Sequence, residues 1–319
     1  MDLPRLPLAA AACAVAVFAG AAPARATFPG RNGVLVSTDV SAFTTYEPPV
    51  FIIATRNPRT GADRWLASCG NRLSAFGRGA YACEISNPVV SPDGRRIAFG
   101  GVEQRRTPPT GSRNSYFLGL VGTSGNDPQT VPSKEYYHDL NWSPDGRSLV
   151  GVRASDAGIY AVSLDGREAG RLVAGVARSI DVAATGLIAI VRPVAPRCTS
   201  PPCIPDEIFV ASPGGVARRL TFGGGHSPSW APDGRRLAFI RRGNVYTARA
   251  DGSGLRRLTF KGASGPVWSP DGKRIAFLRD GMLLTTRPNG KGLRRLRRER
   301  RCLGCGYGIG DWQALRKRR

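Results

Sequence analysis

Hydrophobic and polar residues alternate along this chain in blocks: a polar tight turn is followed by a short run that is apolar at consecutive positions. The unit appears as Ser91-Pro-Asp-Gly-Arg-Arg-Ile-Ala-Phe99, Ser143-Pro-Asp-Gly-Arg-Ser-Leu-Val150, Ala231-Pro-Asp-Gly-Arg-Arg-Leu-Ala-Phe239 and Ser269-Pro-Asp-Gly-Lys-Arg-Ile-Ala-Phe277. The tetrapeptide suits a type I turn: Ser at the first position, Pro presetting φ at the second, Asp tolerating the bridge region at the third, and Gly following. A strand therefore ends before each turn and another begins after it. A run such as Leu237-Ala-Phe-Ile240 offers apolar side chains to both faces, as a strand requires when its sheet lies between two others. Pro29-Gly-Arg-Asn-Gly-Val-Leu-Val36 and Ala183-Ala-Thr-Gly-Leu-Ile-Ala-Ile190 are degenerate copies, which makes Gly33, Gly94, Gly146, Gly186, Gly234 and Gly272 landmarks spaced 38 to 61 residues apart. A four-stranded propeller blade occupies roughly 40 to 50 residues. The pattern predicts an all-β chain: a six-bladed β-propeller of four-stranded antiparallel blades.

The clearest blade reads Trp230 as the end of its inner strand, 236–240 as the second strand, 244–249 as the third and 256–260 as the outermost, with Asp251-Gly252 turning the chain between the last two. Trp142, Trp230 and Trp268 each immediately precede a turn, where a large ring fills the wedge between blades. Trp65 lies off this pattern. Trp312 has the same phase but no turn after it, so 311–315 is expected to complete the inner strand of the blade begun by 34–37, pairing the two termini and removing two exposed edges.

The W-S-P-D-G-x-x-I-A-F unit, together with the outer-strand Arg219-Leu-Thr221 and Arg257-Leu-Thr259, resembles the WD40-like (PD40) repeats of the TolB propeller family over about residues 28–315. The resemblance implies an exported scaffold that binds partner proteins rather than a catalyst. It departs from that family in one respect: TolB carries an α/β domain before its propeller, whereas here the repeats start directly after the expected cleavage site. The same repeats form the substrate-gating propeller of prolyl-oligopeptidase-type peptidases, which add a hydrolase domain.

Composition refines this picture. With 41% hydrophobic and 22% charged residues the chain has an ordinary globular make-up, and its 40 Gly and 25 Pro favour many turns over long helices. At the N-terminus, Arg5, the apolar run 8–22 and Ala24-Arg25-Ala26 read as a secretory signal peptide over 1–26, leaving the propeller and a basic C-terminal tail in 27–319. No later stretch reaches the roughly 18 to 20 apolar residues of a membrane helix. The protein is therefore expected outside the cytoplasm: secreted, periplasmic or associated with the cell envelope. In that oxidising setting the six cysteines after the leader pair locally as Cys69 with Cys83, Cys198 with Cys203, and Cys302 with Cys305. A zinc site from Cys198, Cys203, Cys302 and Cys305, or a redox role for Cys302 and Cys305, is the alternative.

Catalysis finds little raw material. There is no G-x-S-x-G elbow, Gly262-Ala-Ser-Gly265 being one residue short, and the chain has two histidines. Both lie four residues before a repeat tryptophan, on or entering inner strands that line the central channel. His138, Asp139, Asn141, His226, Ser227, Ser229 and Asp311 are thus the candidate channel-lining site. It reads first as a hydrated channel; a cation or small polar ligand on Asp139, Asp311 and the imidazoles, or a lactonase-like or lyase-like enzyme, are the alternatives. Asp93, Asp145, Asp233 and Asp271 read as turn formers. No cofactor or metal is implied.

The net charge of +23 is carried by 46 basic residues of which only five are Lys, a skew that codon usage alone can produce. Much of it repeats blade by blade and reads as a solvated rim. From Lys291 to Arg319 there are eleven basic and two acidic residues, and Arg294, Arg295, Arg297, Arg298, Arg300, Arg301, Arg316, Lys317, Arg318 and Arg319 form the candidate basic surface. The expected partner is a protein or an anionic envelope polymer. Nucleic acid is disfavoured because no binding module or aromatic platform accompanies the charge. The chain is expected to be monomeric.

Overall fold

The computed structural model describes residues 31–40, 51–56, 63–69, 82–85, 88–107, 111–194, 206–298 and 308–315, and every regular element among them is a strand. Blade 1 uses β1 (Arg31–Val40), β2 (Phe51–Arg56) and β3 (Asp63–Cys69); blade 2 uses β4 (Ala82–Ile85), β5 (Val89–Val90), β6 (Arg96–Thr107), β7 (Gly111–Gly122) and β8 (Gln129–Ser133). Blade 3 is β9 (Tyr137–Trp142), β10 (Ser148–Arg153), β11 (Ile159–Ser163) and β12 (Glu168–Val173). Blade 4 is β13 (Ser179–Val182), β14 (Ile188–Arg192), β15 (Glu207–Ala211) and β16 (Arg218–Arg219). Blade 5 is β17 (His226–Trp230), β18 (Arg236–Arg241), β19 (Asn244–Arg249) and β20 (Arg256–Arg257). Blade 6 is β21 (Ser264–Trp268), β22 (Ile275–Arg279), β23 (Met282–Thr286) and β24 (Arg294–Arg298), and β25 (Gly308–Leu315) completes blade 1.

Each blade is an antiparallel sheet in chain order, except that β25 takes the inner position of blade 1 and pairs with β1, Leu35 opposite Trp312. The inner strands touch in a closed cycle, β25 to β5, β9, β13, β17, β21 and back to β25. The expected six-bladed ring, closed by its two terminal strands, is therefore present. Blade 2 departs from four strands: β4 and β5 both pair with β6, so two short segments fill its inner position. β20 ends at Arg257, so Phe260 lies on the crossover rather than in the outer strand.

Six apolar clusters, one per blade interface, hold the ring together. Along β18 the two-sided pattern is explicit: Leu237 and Phe239 belong to the cluster between blades 4 and 5, Ala238 and Ile240 to that between blades 5 and 6. Trp142, Trp230, Trp268 and Trp312 are buried in four of these wedges. Where Val90 takes the tryptophan position, between blades 1 and 2, Phe99 and Phe117 meet edge to face at 6.3 Å instead. These rings cover Gly119 and Gly101 across the strands; a Cβ on Gly119 would lie 2.1 Å from the Phe99 ring.

The turns repeat as the tetrapeptide dictates. In the blade 2 copy the Ser91 hydroxyl donates to Asp93 at 2.6 Å and accepts from the Arg96 amide at 2.9 Å, while Asp93 also accepts from the Arg95 amide at 3.0 Å. The Ser143 and Ser269 copies repeat these bonds. Gly94, Gly146, Gly234 and Gly272 sit at φ between 63° and 72°, which glycine adopts without strain. Antiparallel order places these turns, and those joining third to fourth strands, on one side of the ring, the turn face. The second-to-third hairpins and the crossovers lie on the other, the crossover face.

Candidate functional site

The axis residues are built into the ring by one recurring position, the residue before the tryptophan or its equivalent. Its side chain accepts the backbone amide of the tryptophan position in the next blade. Asn141 accepts from Val182 at 3.4 Å, Asp181 from Trp230 at 2.6 Å, Ser229 from Trp268 at 3.2 Å, and Asp311 from Val90 at 2.9 Å. Asp139 accepts from the Ile180 amide at 2.7 Å, and Asn141 also donates to the Ile180 carbonyl at 3.4 Å. All five side chains are almost fully buried. The indoles bond between blades as well, each at 3.1 Å: Trp142 Nε1 to the Val89 carbonyl across the seam of blades 2 and 3, and Trp230 Nε1 to that of Asp181 as a second bond across the seam of blades 4 and 5. Four of the sequence-derived candidates, Asp139, Asn141, Ser229 and Asp311, thus bond to the backbone of the neighbouring blade. Asp181 belongs with them. Sequence reasoning missed it because its turn, Ala183-Ala-Thr-Gly186, lacks the Pro-Asp pair, although its phase relative to Gly186 marks it.

His138 is half-buried in a bulge of β9 and its Nε2 lies 3.3 Å from the Arg178 carbonyl. His226 reaches solvent while protein crowds it on most sides; its Nδ1 is 3.0 Å from the Ser227 hydroxyl, and Ser227 is itself buried at φ 50°. Desolvation lowers the His226 pKa, with Asp206 opposing. Cys69 and Cys83 lie on β3 and β4, in adjacent blades, whereas Cys198, Cys203, Cys302 and Cys305 lie outside the described residues. Of the basic C-terminal set, Arg294, Arg295, Arg297 and Arg298 form the outer strand of blade 6 rather than a tail, with Arg294 and Arg295 exposed. Arg300, Arg301, Arg316, Lys317, Arg318 and Arg319 lie outside the described residues.

The crossover face carries a second repeated device, Arg219-Leu-Thr-Phe222 in blade 4 and Arg257-Leu-Thr-Phe260 in blade 5. In each, Leu and Thr are buried, and the Thr hydroxyl accepts a third-strand amide, Ile208 at 2.8 Å or Val245 at 2.9 Å. The Arg Nε donates to the Thr carbonyl at 2.9 or 2.8 Å, which holds its guanidinium 4.6 Å from the Phe ring in both copies. Phe222 and Phe260 are nevertheless 67% and 71% exposed. The backbone beneath is fixed: Arg241 donates to the Phe222 carbonyl at 2.9 Å and Arg279 to that of Gly262 at 2.8 Å. Under Phe222, buried Glu207 accepts from the Gly223 amide at 2.7 Å, from Gly224 and Arg219 at 2.9 Å each, and from the Thr221 hydroxyl. Burial raises the Glu207 pKa, but the bonds from Thr221, Gly224, Gly223 and Arg219 outweigh it and hold the carboxyl below its ordinary value. The repeated Arg-Leu-Thr-Phe string was the available sequence signal for this surface.

No family model matches the sequence, and no curated protein matches it. Among solved structures the chain is similar to the tricorn protease at a TM-score of 0.56 and 19% identity over 86% of this chain, but it spans only 27% of that protein. It is similar to a chain of a nidogen/laminin complex at a TM-score of 0.53 and 11% identity, covering 81% of this chain and 91% of that one. The β-propeller domain of the trilobed protease from Pyrococcus furiosus, described as having an open velcro topology, matches at a TM-score of 0.50 and 16% identity, covering 86% of this chain and 84% of that one. Here β25 and β1 pair. At these identities the likeness establishes the fold: the chain is a β-propeller.

Proposed function

We propose that this chain is an exported, non-catalytic propeller scaffold that holds a protein partner on its crossover face. The observation that carries the reading is the pair of exposed phenylalanines, Phe222 and Phe260, at equivalent positions of adjacent blades, each beneath an arginine. Aromatic residues and Arg are enriched where proteins bind one another, and both side chains here stand on backbone that is already rigid, so little ordering opposes association. The leader-like N-terminus supports export, and the resemblance of the repeats to the TolB family supports a scaffold role. The bonds of Asp139, Asn141, Ser229 and Asp311 to neighbouring blades favour structural work over proton transfer at the axis.

The test is crosslinking and mass spectrometry on intact cells that express either the wild type or the Phe222→Ala/Phe260→Ala double variant. Loss of a specific crosslinked partner in the variant, at unchanged unfolding midpoint, is the expected result. Retention of the same partner at the same yield would reject this face as the docking surface.

A further inference from the structure

The turn face carries a shallow cleft, widely open to solvent and of about 500 Å³, at the seam of blades 5 and 6, lined by Arg236, Arg256, Lys273, Arg287, Pro288 and Asn289. Its four charged lining residues are all cations, two from each blade, and all are exposed to solvent. Arg236 is positioned by the Trp268 ring, 5.1 Å from its guanidinium. The 287–290 turn is seated by Gly290, at φ 79°, where a Cβ would lie 3.4 Å from the Leu258 carbonyl of blade 5. Nearby carboxylates are engaged by their own turns: Asp271 with the Ser269 hydroxyl and Lys273 amide, Asp251 with the Ser253 amide, and Asp233 with the Arg235 amide and, at 3.6 Å, Arg236. Arg274, alongside, is depressed in pKa by burial and then by Arg294 and Arg287, with Asp271 opposing, as expected where cations crowd.

This concentration is not the generic blade-by-blade charge. The four equivalent positions at the seam of blades 4 and 5 are Leu187, Arg218, Arg235 and Arg249, and at that of blades 2 and 3 they are Arg96, Gln129, Arg147 and Ser163. Of the seams from blade 2 to blade 6, that of blades 5 and 6 alone is cationic at all four. Planar guanidinium forks match the paired oxygens of phosphate, and a volume of this size accommodates a polyatomic anion.

We propose that this cleft binds a multiply charged phosphate-type oxyanion, either free in solution or as part of an anionic surface. The assignment rests on the binding role proposed above only in treating the chain as a binder. It concerns the opposite face, so partner capture through Phe222 and Phe260 and anion binding here succeed or fail separately.

The experiment is isothermal titration of the full chain with sodium tripolyphosphate, with flotation on phosphatidylglycerol or phosphatidylcholine vesicles as a second arm. Saturable tripolyphosphate binding is expected, weakened at least about tenfold by Arg256→Gln/Lys273→Gln, which is a loss of about 1.4 kcal/mol. Arg147→Gln/Arg167→Gln removes the same charge from exposed turn-face positions of blade 3 and should leave the affinity unchanged. Absence of saturable binding, or equal weakening by both double variants at unchanged folding, would overturn the site in favour of diffuse attraction. Flotation on phosphatidylglycerol alone, lost in the Arg256/Lys273 variant, would identify a surface phosphodiester as the source; titration without flotation would identify a soluble phosphate.

Discussion

Replacing Asp181 with Ala isolates one of the bonds between blades. Asp181 is fully buried and its Oδ2 accepts the Trp230 amide at 2.6 Å, while the indole of Trp230 bonds to the Asp181 backbone carbonyl and is untouched by a side-chain change. The substitution removes a hydrogen bond to a charged acceptor and strands a buried amide between blades 4 and 5, for an expected loss of about 2–3 kcal/mol. Asp181→Asn keeps an oxygen at the same place; a neutral acceptor is roughly half as strong, so about half the loss should return. Urea unfolding followed by tryptophan emission suits the measurement, because Trp142, Trp230 and Trp268 are all buried in blade interfaces and report on their opening. An Asp181→Ala variant within about 0.5 kcal/mol of wild type, the range of an inconsequential surface change, would refute the argument. So would equal loss in the Ala and Asn variants, because the carboxylate charge would then matter rather than the bond.

Two further outcomes follow from the same geometry. The Glu207 carboxyl, held below its ordinary value of 4.5, contributes stability that is fully present above that pH and is lost as pH falls through the lower folded value. Glu207→Gln should therefore be less stable near neutrality and show a flatter decline below about pH 4.5, read as melting temperature against pH; parallel acid limbs would remove Glu207 from the account. Trp312→Ala empties the wedge between blades 6 and 1 at the closing strand and should cost about 3–5 kcal/mol by denaturant titration, whereas a loss below about 1 kcal/mol would contradict closure through this ring.

The architecture was legible because turn chemistry and two-sided apolar runs are both local. The Ser-Pro-Asp-Gly copies located the first-to-second turns, and Leu237-Ala-Phe-Ile240 located a strand between two sheets; even the degenerate Ala183 copy folds as read, with the Gly186 amide donating to the Ala183 carbonyl at 2.9 Å. The split inner position of blade 2 was not legible, because its 12-residue β6 is long enough to pair with two segments and nothing local in 82–90 announces the break. At the axis, the sequence offered Asn141, Ser229 and Asp311 among seven channel-lining candidates, but position along an inner strand does not reveal where a side chain finds its hydrogen-bond donor. In a propeller the nearest unsatisfied amide belongs to a blade some forty residues away, such as Val182 for Asn141.

The same distinction divides the basic charge. Many repeated arginines perform backbone work: Arg219 and Arg257 cap their own outer strands, Arg241 and Arg279 secure the preceding crossover, and Arg96 and Arg236 lie over the tryptophan of the next blade at 4.9 and 5.1 Å. A cation anchored to a carbonyl or an indole keeps its charge but loses its freedom, so it stiffens a seam and fixes the field around it at once. That is why Arg236 matters twice: packing on Trp268 holds it in place, and the place is the mouth of the blade 5–6 cleft, where Arg256, Lys273 and Arg287 are added. Repetition accounts for structural arginines at the seams of blades 2 and 3, 4 and 5, and 5 and 6; it does not account for four cations converging at one of them, and that excess is the argument for a binding site over a solvated rim.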